Sequence, residues 1–364
     1  MNEEAGESII PLFFTLIKCG IGTEEKLPCI PSREQWDKLY DIACKQTLQG
    51  IAFCGIERLP AEQRPYKELL IKWFNVVQGI KSKNRELNNT AALISGKFAE
   101  EGFRSCILKG QGIAMYYANP ELRVPGDVDI WIEGGFKKVY RYIKNICPEV
   151  RPTYHHVDFP VNPHVEIEVH FTPTWMNSPI KNKRLQDFFR KCSEEQFCNN
   201  STLQCAAFHS PTTAFNRVYI LLHIYRHFQE GIGMRQMLDY YYILAAGATE
   251  EEKRSFTKTI KQLGMMKFAA AVMYAMQKMF SIDEKLLLVA PNKAEGEYLI
   301  SEIMIAGNFG KYDHRYKTLS KENDFKHFAN SLQRMSRLIW HYPSEFLWSP
   351  YFKVWHYFWR KSKK

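Results

Sequence analysis

Two aspartates separated by one residue form the most distinctive chemical feature of this sequence. Asp127 and Asp129 follow a Pro-Gly turn and alternate with the apolar Val128 and Ile130. This period of two is typical of a β-strand, whose alternate side chains project from one face. Two neighbouring carboxylates repel each other unless a cation neutralises them. The pair therefore indicates a site for Mg²⁺, which binds a few carboxylate oxygens and completes its coordination with water and phosphate.

A second acidic strand is predicted further along the chain. Glu166, Glu168 and His170 alternate with isoleucine and valine, so they share one face of that strand. If it lies beside the first strand, one of the two glutamates can join the aspartates at a metal site. Two ions held there could activate an attacking hydroxyl and stabilise a leaving pyrophosphate. In the alternative interpretation, the aspartates occupy a solvated strand edge and bind no metal.

A lysine and a glycine lie where a short predicted strand turns into a helix. Glycine at the position of Gly110 lets a phosphate approach the backbone, and N–H groups at a helix start attract anions. Lys109 and Arg123 could each neutralise the charge of a triphosphate, and arginine offers a bidentate fork. Alternatively, Arg123 pairs with Asp127 or Glu121 and only holds the turn.

Two pairs of histidines could also contribute to a site. His155 and His156 lie on a strand ahead of the second acidic strand, where one of them must face the acids. This pair could orient phosphate or substrate, or could be structural. His223 and His227 are four residues apart on a predicted helix, and Asp239 follows on the next. These three could bind a metal, line a substrate pocket or simply pack.

The strands that must position these residues fall in one short part of the chain. Strands are predicted at 103–108, 127–132, 154–159 and 164–171, with helices at 113–118 and 136–146. Helices are predicted on both sides of this block. The sequence thus predicts an α+β fold, with a small mixed-sheet core at 101–175 between an N-terminal helical region, 1–100, and a C-terminal one, 176–364.

Several local signals predict where helices begin. Ser32 with Gln35, and Thr249 with Glu252, have the spacing of a capping box. Near the end of the chain, a last helix is predicted to start at Ser349 and Pro350. Its aromatic stripe and basic end could contact a membrane surface or nucleic acid, although packing against other helices is the commoner outcome for such a stripe.

Composition and charge narrow the class of protein. The chain has 364 residues, 45% of them hydrophobic, which predicts a folded protein. Of its net charge of +10, most lies in residues 311–364, where 12 Lys and Arg residues face 4 Asp and Glu residues. This basic segment favours an anionic partner, although it could simply aid solubility. The first apolar run, 9–17, contains Pro11 and is too short for a transmembrane span, so a cytoplasmic location is expected.

The motifs together resemble a bacterial nucleotidyltransferase family of the DNA polymerase beta-like superfamily. The resemblance lies in Leu108-Lys109-Gly110, in the run from Arg123 to Ile130 and in Glu168-Val169-His170. It implies that Asp127 and Asp129 ligate two Mg²⁺ ions, that Glu168 is the third acid and that an NTP is the donor. Glu166 is the substitute if the strand register differs. One departure is Gln111, where many members of the superfamily have serine or a second glycine.

The resemblance also implies a reaction. We expect an enzyme that transfers a nucleoside monophosphate from an NTP to an acceptor hydroxyl, with Lys109, Gly110 and Arg123 binding the triphosphate. The acceptor could be a small molecule, a polysaccharide precursor, a protein or an RNA end. One alternative is a non-catalytic nucleotide-binding or regulatory module with the same fold. Another is a phosphohydrolase site at His223, His227 and Asp239.

Overall fold

The computed structural model describes residues 9–199, 208–228, 231–315 and 336–363. The part of the chain that the structure describes starts with four α-helices. Their bounds are Ile9–Ile21 (α1), Arg33–Lys45 (α2), Gln49–Arg58 (α3) and Lys67–Glu100 (α4). Helix α2 starts at the predicted capping box, because Ser32 accepts a hydrogen bond from the backbone N–H of Gln35 while the Gln35 side chain bonds back to Ser32.

A four-stranded sheet follows α4. The elements of this part are Ser105–Ile107 (β1), Gln111–Ala114 (α5), Val128–Ile132 (β2), Gly135–Ile146 (α6), His156–Asp158 (β3) and Ile167–His170 (β4). The strand order is β1-β2-β4-β3, with β2 and β4 parallel and the other two pairs antiparallel. The predicted mixed sheet is therefore confirmed, and each strand is shorter than its apolar pattern indicated.

One face of the sheet is predominantly apolar. Alternate residues of β2 and β4, among them Val128, Ile130 and Val169, pack with the C-terminal half of α4 and with α6. These three side chains are fully or almost fully buried. We call this cluster the sheet core. Because alternate strand residues point to opposite faces, the residues between them, Asp129, Glu168 and His170, are directed to the other side.

The C-terminal half of the chain is helical. The bounds are Pro179–Cys198 (α7), Thr213–Phe228 (α8), Met234–Ala245 (α9), Glu250–Gln262 (α10), Met266–Phe280 (α11), Lys293–Ala306 (α12) and Pro343–Lys361 (α13). The predicted capping box of Thr249 and Glu252 starts α10. Helices from both ends of the chain share one helical core, which includes Trp36 of α2 and Phe268 of α11. The α+β prediction is confirmed.

The last helix begins earlier than predicted. Helix α13 starts at Pro343, so Ser349 and Pro350 lie inside it rather than at its first turn. Both prolines carry the same local signal, because a proline at the start of a helix lacks only an N–H that would have no partner there. Only the packing of Phe346 and Glu345, both buried, distinguishes the true start. No helix in the described part of the chain is long and apolar enough to cross a membrane.

Candidate functional site

The pairing of two parallel strands brings the predicted acids together. Asp129 of β2 lies directly opposite Glu168 of β4 in the strand register. Glu166 precedes β4, is exposed and lines a separate surface cavity that extends along residues 158–168. The structure therefore places Glu168, and not Glu166, beside Asp129.

Asp129 is buried and accepts contacts from two basic side chains. Lys109 Nζ lies 2.8 Å from Asp129 Oδ1, and His170 Nε2 lies 2.9 Å from the same oxygen. Burial alone would lower the pKa of Lys109, but Asp129 and Asp127 outweigh it and raise that pKa above its ordinary value. Both positive groups thus contact Asp129 through the same oxygen, Oδ1.

Glu168 forms part of the same network. Its Oε2 lies 3.3 Å from His170 Nε2 and 3.2 Å from His156 Nδ1. Burial would raise the pKa of Glu168, but the hydrogen bond to His170 and the charges of His170, Lys109 and His156 together outweigh it and lower that pKa to about 2. Burial would likewise lower the pKa of His170, which its hydrogen bonds to Asp129 and Glu168 raise to about 9. Glu168 is therefore an ionised carboxylate at neutral pH.

One oxygen of Asp129 has no hydrogen-bond partner among the residues that the structure describes. Asp129 Oδ2 is buried and makes no hydrogen bond to the described residues. A buried carboxylate oxygen without a donor is costly, so a cation is the natural partner for it. Ligand atoms of Asp129, Glu168 and His170 lie within 4.8 Å of one another, as those of a metal site do. The two carboxylates fit a divalent ion, and His170, which hydrogen-bonds to both of them, holds them in place.

Asp127 lies on the wall of the adjoining cavity. It directly precedes β2 and is half-buried, and no hydrogen bond or ion pair joins its carboxylate to another described residue. Asp127 does not belong to the three-residue group formed by Asp129, Glu168 and His170. The predicted pair is therefore divided: one aspartate is buried in the ion-pair network and the other faces the open space.

The cavity has a volume of about 390 Å³ and two chemically different walls. Asp127 and Glu168 form the acidic wall beside the sheet. Helices α8 and α9 supply the opposite wall, which is rich in basic and imidazole groups: His223, Arg226, His227 and Arg235. Lys109 and Gly110 lie between the walls. This arrangement suits a ligand that carries metal ions at one end and anionic groups along its length.

The backbone conformation at position 110 explains why the residue predicted to approach a phosphate is a glycine. Gly110 has a φ of 57°, and a Cβ atom added there would lie 3.1 Å from the carbonyl oxygen of Asp127. Glycine is favoured because it adopts positive φ without a steric penalty. The next residue, Gln111, is buried and donates to Asn88 Oδ1 of α4 at 2.7 Å. The atypical Gln111 therefore ties the turn to α4 and does not line the cavity.

Arg123 is held by an acid that the sequence did not indicate. Its guanidinium makes a bidentate, buried ion pair with Asp239 of α9, with N–O distances of 2.8 and 2.9 Å. The alternative expectation, a pair with Asp127 or Glu121, is wrong. Tyr117 donates a further hydrogen bond of 2.7 Å to Asp239. Arg123 lines the cavity while it fastens the loop before β2 to the helical core.

Both predicted histidine pairs, His155 with His156 and His223 with His227, line the cavity. From the sequence, only one residue of the first pair was expected to face it. Burial lowers the pKa of His155 well below its ordinary value, and burial together with His170 lowers that of His156 to about 4. Burial is also the main cause that lowers the pKa of His223 and, to about 3, that of His227. At neutral pH these four imidazoles are therefore uncharged, and each can donate one hydrogen bond and accept another.

The structure does not support a metal site at His223, His227 and Asp239. The carboxylate of Asp239 is bound by Arg123 and Tyr117. In the described ranges, the three residues do not form a group whose ligand atoms lie together. The imidazoles stand on the basic wall, with ring centroids 4.3 Å apart.

Several cavity residues were missed from the sequence, among them Trp175, Arg226 and Arg235. Trp175, after β4, contacts His155 with the two rings tilted at 49°, and the guanidinium carbon of Arg226 lies 3.1 Å from the centre of its indole. Arg235 donates to the backbone oxygen of Val124 at 3.0 Å. Arg226 could have been found, because it lies three residues after His223 and hence on the same side of α8. Nothing local distinguishes Trp175 or Arg235.

The chain belongs to a family of uncharacterised nucleotidyltransferases, whose model matches residues 32–281. This match covers the sheet, the acids and most of the helical core, and it confirms the resemblance. The comparison with curated proteins returns no match.

Two solved structures are similar over part of their length. An antigenic nucleotidyltransferase-like protein from Paracoccidioides brasiliensis has 13% identity and a TM-score of 0.35, covering 58% of this chain and 97% of that one. The Thermotoga maritima CCA-adding enzyme, complexed with tRNA, has 10% identity and a TM-score of 0.20, covering 73% and 75%. These scores are too low to assign a substrate to this chain.

Proposed function

We propose that this protein transfers a nucleoside monophosphate from an NTP to an acceptor hydroxyl. In this reaction the acceptor hydroxyl gives up its proton with the help of Glu168, its oxygen forms a bond to the α-phosphorus, the bond from that phosphorus to the bridging oxygen breaks, and pyrophosphate leaves. The observation that carries the proposal is the pairing of Asp129 with Glu168 on parallel strands, with one oxygen of Asp129 buried and without a donor. Membership of the family supports the transferase class.

Asp127, Asp129 and Glu168 would hold two Mg²⁺ ions. When bound, such ions supply the charge that activates a hydroxyl and stabilises a leaving pyrophosphate. Asp129 can serve as a ligand without losing its existing contacts, because Lys109 and His170 use only Oδ1. Those contacts fix the carboxylate in one orientation and leave Oδ2 for the ion. Asp127, which no described side chain binds, can turn towards the same space.

The basic side chains would bind the triphosphate. Lys109 and Gly110 stand at the junction of the walls, where the backbone turn admits a phosphate group. Arg226 and Arg235 reach the cavity from the opposite wall, and their charges favour an anionic ligand. Arg123 contributes its charge from the base of the cavity while it remains tied to Asp239.

The main alternative is a nucleotide-binding or regulatory module without catalysis. The three acids weigh against it, because a module that only binds a nucleotide does not need a buried, desolvated carboxylate beside a second one. Calorimetry can distinguish the two functions. An NTP affinity that does not change when Mg²⁺ is replaced by EDTA would support the binding module.

Label transfer tests the proposed reaction directly. Purified protein is incubated with Mg²⁺, a cell extract and each NTP labelled at the α-phosphate, and labelled metabolites, proteins and RNA are separated. We expect transfer by the wild type and by Glu166→Gln, whose exposed side chain lies outside the cavity. We expect none by Asp127→Asn/Asp129→Asn. Equal transfer by this double variant would contradict the proposal, and the labelled fraction would identify the acceptor class.

A further inference from the structure

Helix α13 leaves one of its faces in contact with solvent, although that face is strongly apolar. Leu347, Tyr351, Val354 and Phe358 follow one another at the spacing of a helix face, and their exposed fractions are 64%, 57%, 55% and 64%. Trp348 and Trp355 lie beside this stripe and are also exposed, at 39% and 38%. We call these six residues the outer face of α13. A continuous apolar surface of this kind is unusual in a protein that meets only water.

The opposite side of α13 is well packed, so the exposure is not due to a loosely placed helix. Phe346 is buried in the helical core, and Phe352 stacks on Trp175 with ring centroids 5.6 Å apart. Glu345 is buried and accepts a hydrogen bond of 2.6 Å from the backbone N–H of Asn177. The helix is thus fixed in orientation, and its outer face is presented by the fold.

The segment that carries the outer face is strongly basic. From residue 336 to 364 the sequence contains six Lys and Arg residues and a single acid, the buried Glu345. Four of the basic residues are in the last five positions of the chain, at the end of α13. Lys361 and Lys363 each lie within 6 Å of an aromatic ring, with distances of 4.5 Å to Tyr357 and 5.6 Å to Phe136.

We propose that α13 docks this protein on an anionic membrane surface and lies in the plane of the lipid headgroups. Tryptophan and tyrosine favour that depth, because their rings are apolar and their polar atoms can reach water. Leucine, valine and phenylalanine of the same face would enter the acyl boundary, and the basic end would bind acidic headgroups. The proposal does not depend on the nucleotidyltransferase reaction.

Two other occupants of the outer face fit less well. A second copy of the chain would bring another basic α13 without an exposed acid, so the charges of the two helices would repel each other. Single-stranded nucleic acid is bound by stacking on aromatic rings, and Leu347 and Val354, two of the four residues of the stripe, offer no such surface. A lipid surface satisfies both the aliphatic and the basic side chains.

Docking would also bring the cavity close to the lipid. Phe352, on the inner side of α13, contacts Trp175, which lines the cavity. The cavity is therefore separated from the outer face by about one helix diameter, roughly 10 Å.

Binding of the full-length protein to vesicles tests the proposal. Two lipid compositions are compared by co-sedimentation: phosphatidylcholine alone, and phosphatidylcholine with phosphatidylglycerol. We expect the wild type to bind the anionic vesicles, and Leu347→Gln/Tyr351→Gln/Val354→Gln/Phe358→Gln to bind them at least about tenfold more weakly. The matched control, Ile71→Gln/Phe74→Gln/Leu93→Gln, removes exposed apolar side chains from α4 and should bind as the wild type does.

Further measurements make the result independent of a folding defect. In the wild type, lipids brominated near the headgroup should quench tryptophan fluorescence, and added salt should weaken binding to the anionic vesicles. Absence of wild-type binding, or equal binding by the fourfold variant, would overturn the proposal. It would also be overturned by a wild-type dimer in sedimentation that the fourfold variant dissociates, or by binding to a single-stranded oligonucleotide in preference to the vesicles.

Discussion

The two faces of the central sheet are built from the same strands, but one is apolar and the other is charged. On one face, Val128, Ile130 and Val169 are buried in the sheet core with no polar atom among their side chains. On the other, Asp129, Glu168 and His170 form a charged network that leaves a carboxylate oxygen without a donor. The comparison shows that strand alternation lets a small sheet obtain stability from one side and hold reactive groups on the other.

The polar face is stabilised as a set of contacts rather than by burial alone. Asp129 is buried, but its charge is opposed by Lys109 and His170 through one oxygen. Buried ion pairs of this kind contribute little net stability, whereas the loss of one partner is costly. The apolar face has no such dependence, because each side chain there contributes through the area that it removes from water. Changes on the two faces should therefore be separable by experiment.

The largest expected effect is the loss of catalysis when an acid of the polar face is replaced. Glu168→Gln removes a carboxylate opposite Asp129, and we expect the rate of nucleotide transfer to fall about a thousandfold, which corresponds to about 4 kcal/mol. The control is Glu166→Gln on the same segment, which should retain the wild-type rate within about twofold. Similar losses in both variants would show that the two acids are not distinguished by the strand pairing.

The second largest expected effect is the loss of stability when a side chain of the apolar face is truncated. Ile130 is fully buried, and Ile130→Ala should lower the apparent free energy of unfolding in urea by about 3.5 kcal/mol. The rate of transfer measured well below the melting temperature should remain close to that of the wild type. Ile146→Ala, at an exposed position at the end of α6, should change stability by less than about 0.5 kcal/mol. A loss of activity without a loss of stability in Ile130→Ala would break the separation of the faces.

A third variant tests the ion pair of the polar face. Lys109→Met leaves buried Asp129 with His170 alone, so we expect the unfolding free energy to fall by about 3 kcal/mol. Arg190→Met removes one side of the exposed pair with Asp187 and should cost less than about 1 kcal/mol. Added Mg²⁺ should stabilise Lys109→Met more than it stabilises the wild type, because the ion would replace the missing positive charge. Equal stabilisation of the two proteins would argue that no ion binds at Asp129.

The smallest expected effect is that of the ion on the wild type. At a Mg²⁺ concentration about ten times its dissociation constant, binding should stabilise the folded protein by about 1.4 kcal/mol. Thermal melting should show a higher midpoint with Mg²⁺ than with EDTA, and the difference should vanish in Asp127→Asn/Asp129→Asn. An unchanged difference in that double variant would place the ion elsewhere in the protein.

The predictions that came directly from the sequence are those set by local geometry. The period of two placed Asp129 on one face and Val128 and Ile130 on the other, as the structure has them. The capping boxes at Ser32 and Thr249 began helices, since a side chain and a backbone N–H three residues apart meet only when the turn is helical. Such features need no knowledge of the rest of the chain.

Tertiary structure decided which of these elements meet. The parallel pairing of β2 with β4 places Glu168, rather than Glu166, opposite Asp129. Arg123 forms its ion pair with Asp239, 116 residues away, instead of with a nearby acid. Arg226 and Arg235 became part of the cavity because α8 and α9 pack across from the sheet. The sequence determined the acids and the faces on which they lie, since backbone dihedral angles are local. Their partners depend on the packing of the two cores, which no short segment contains.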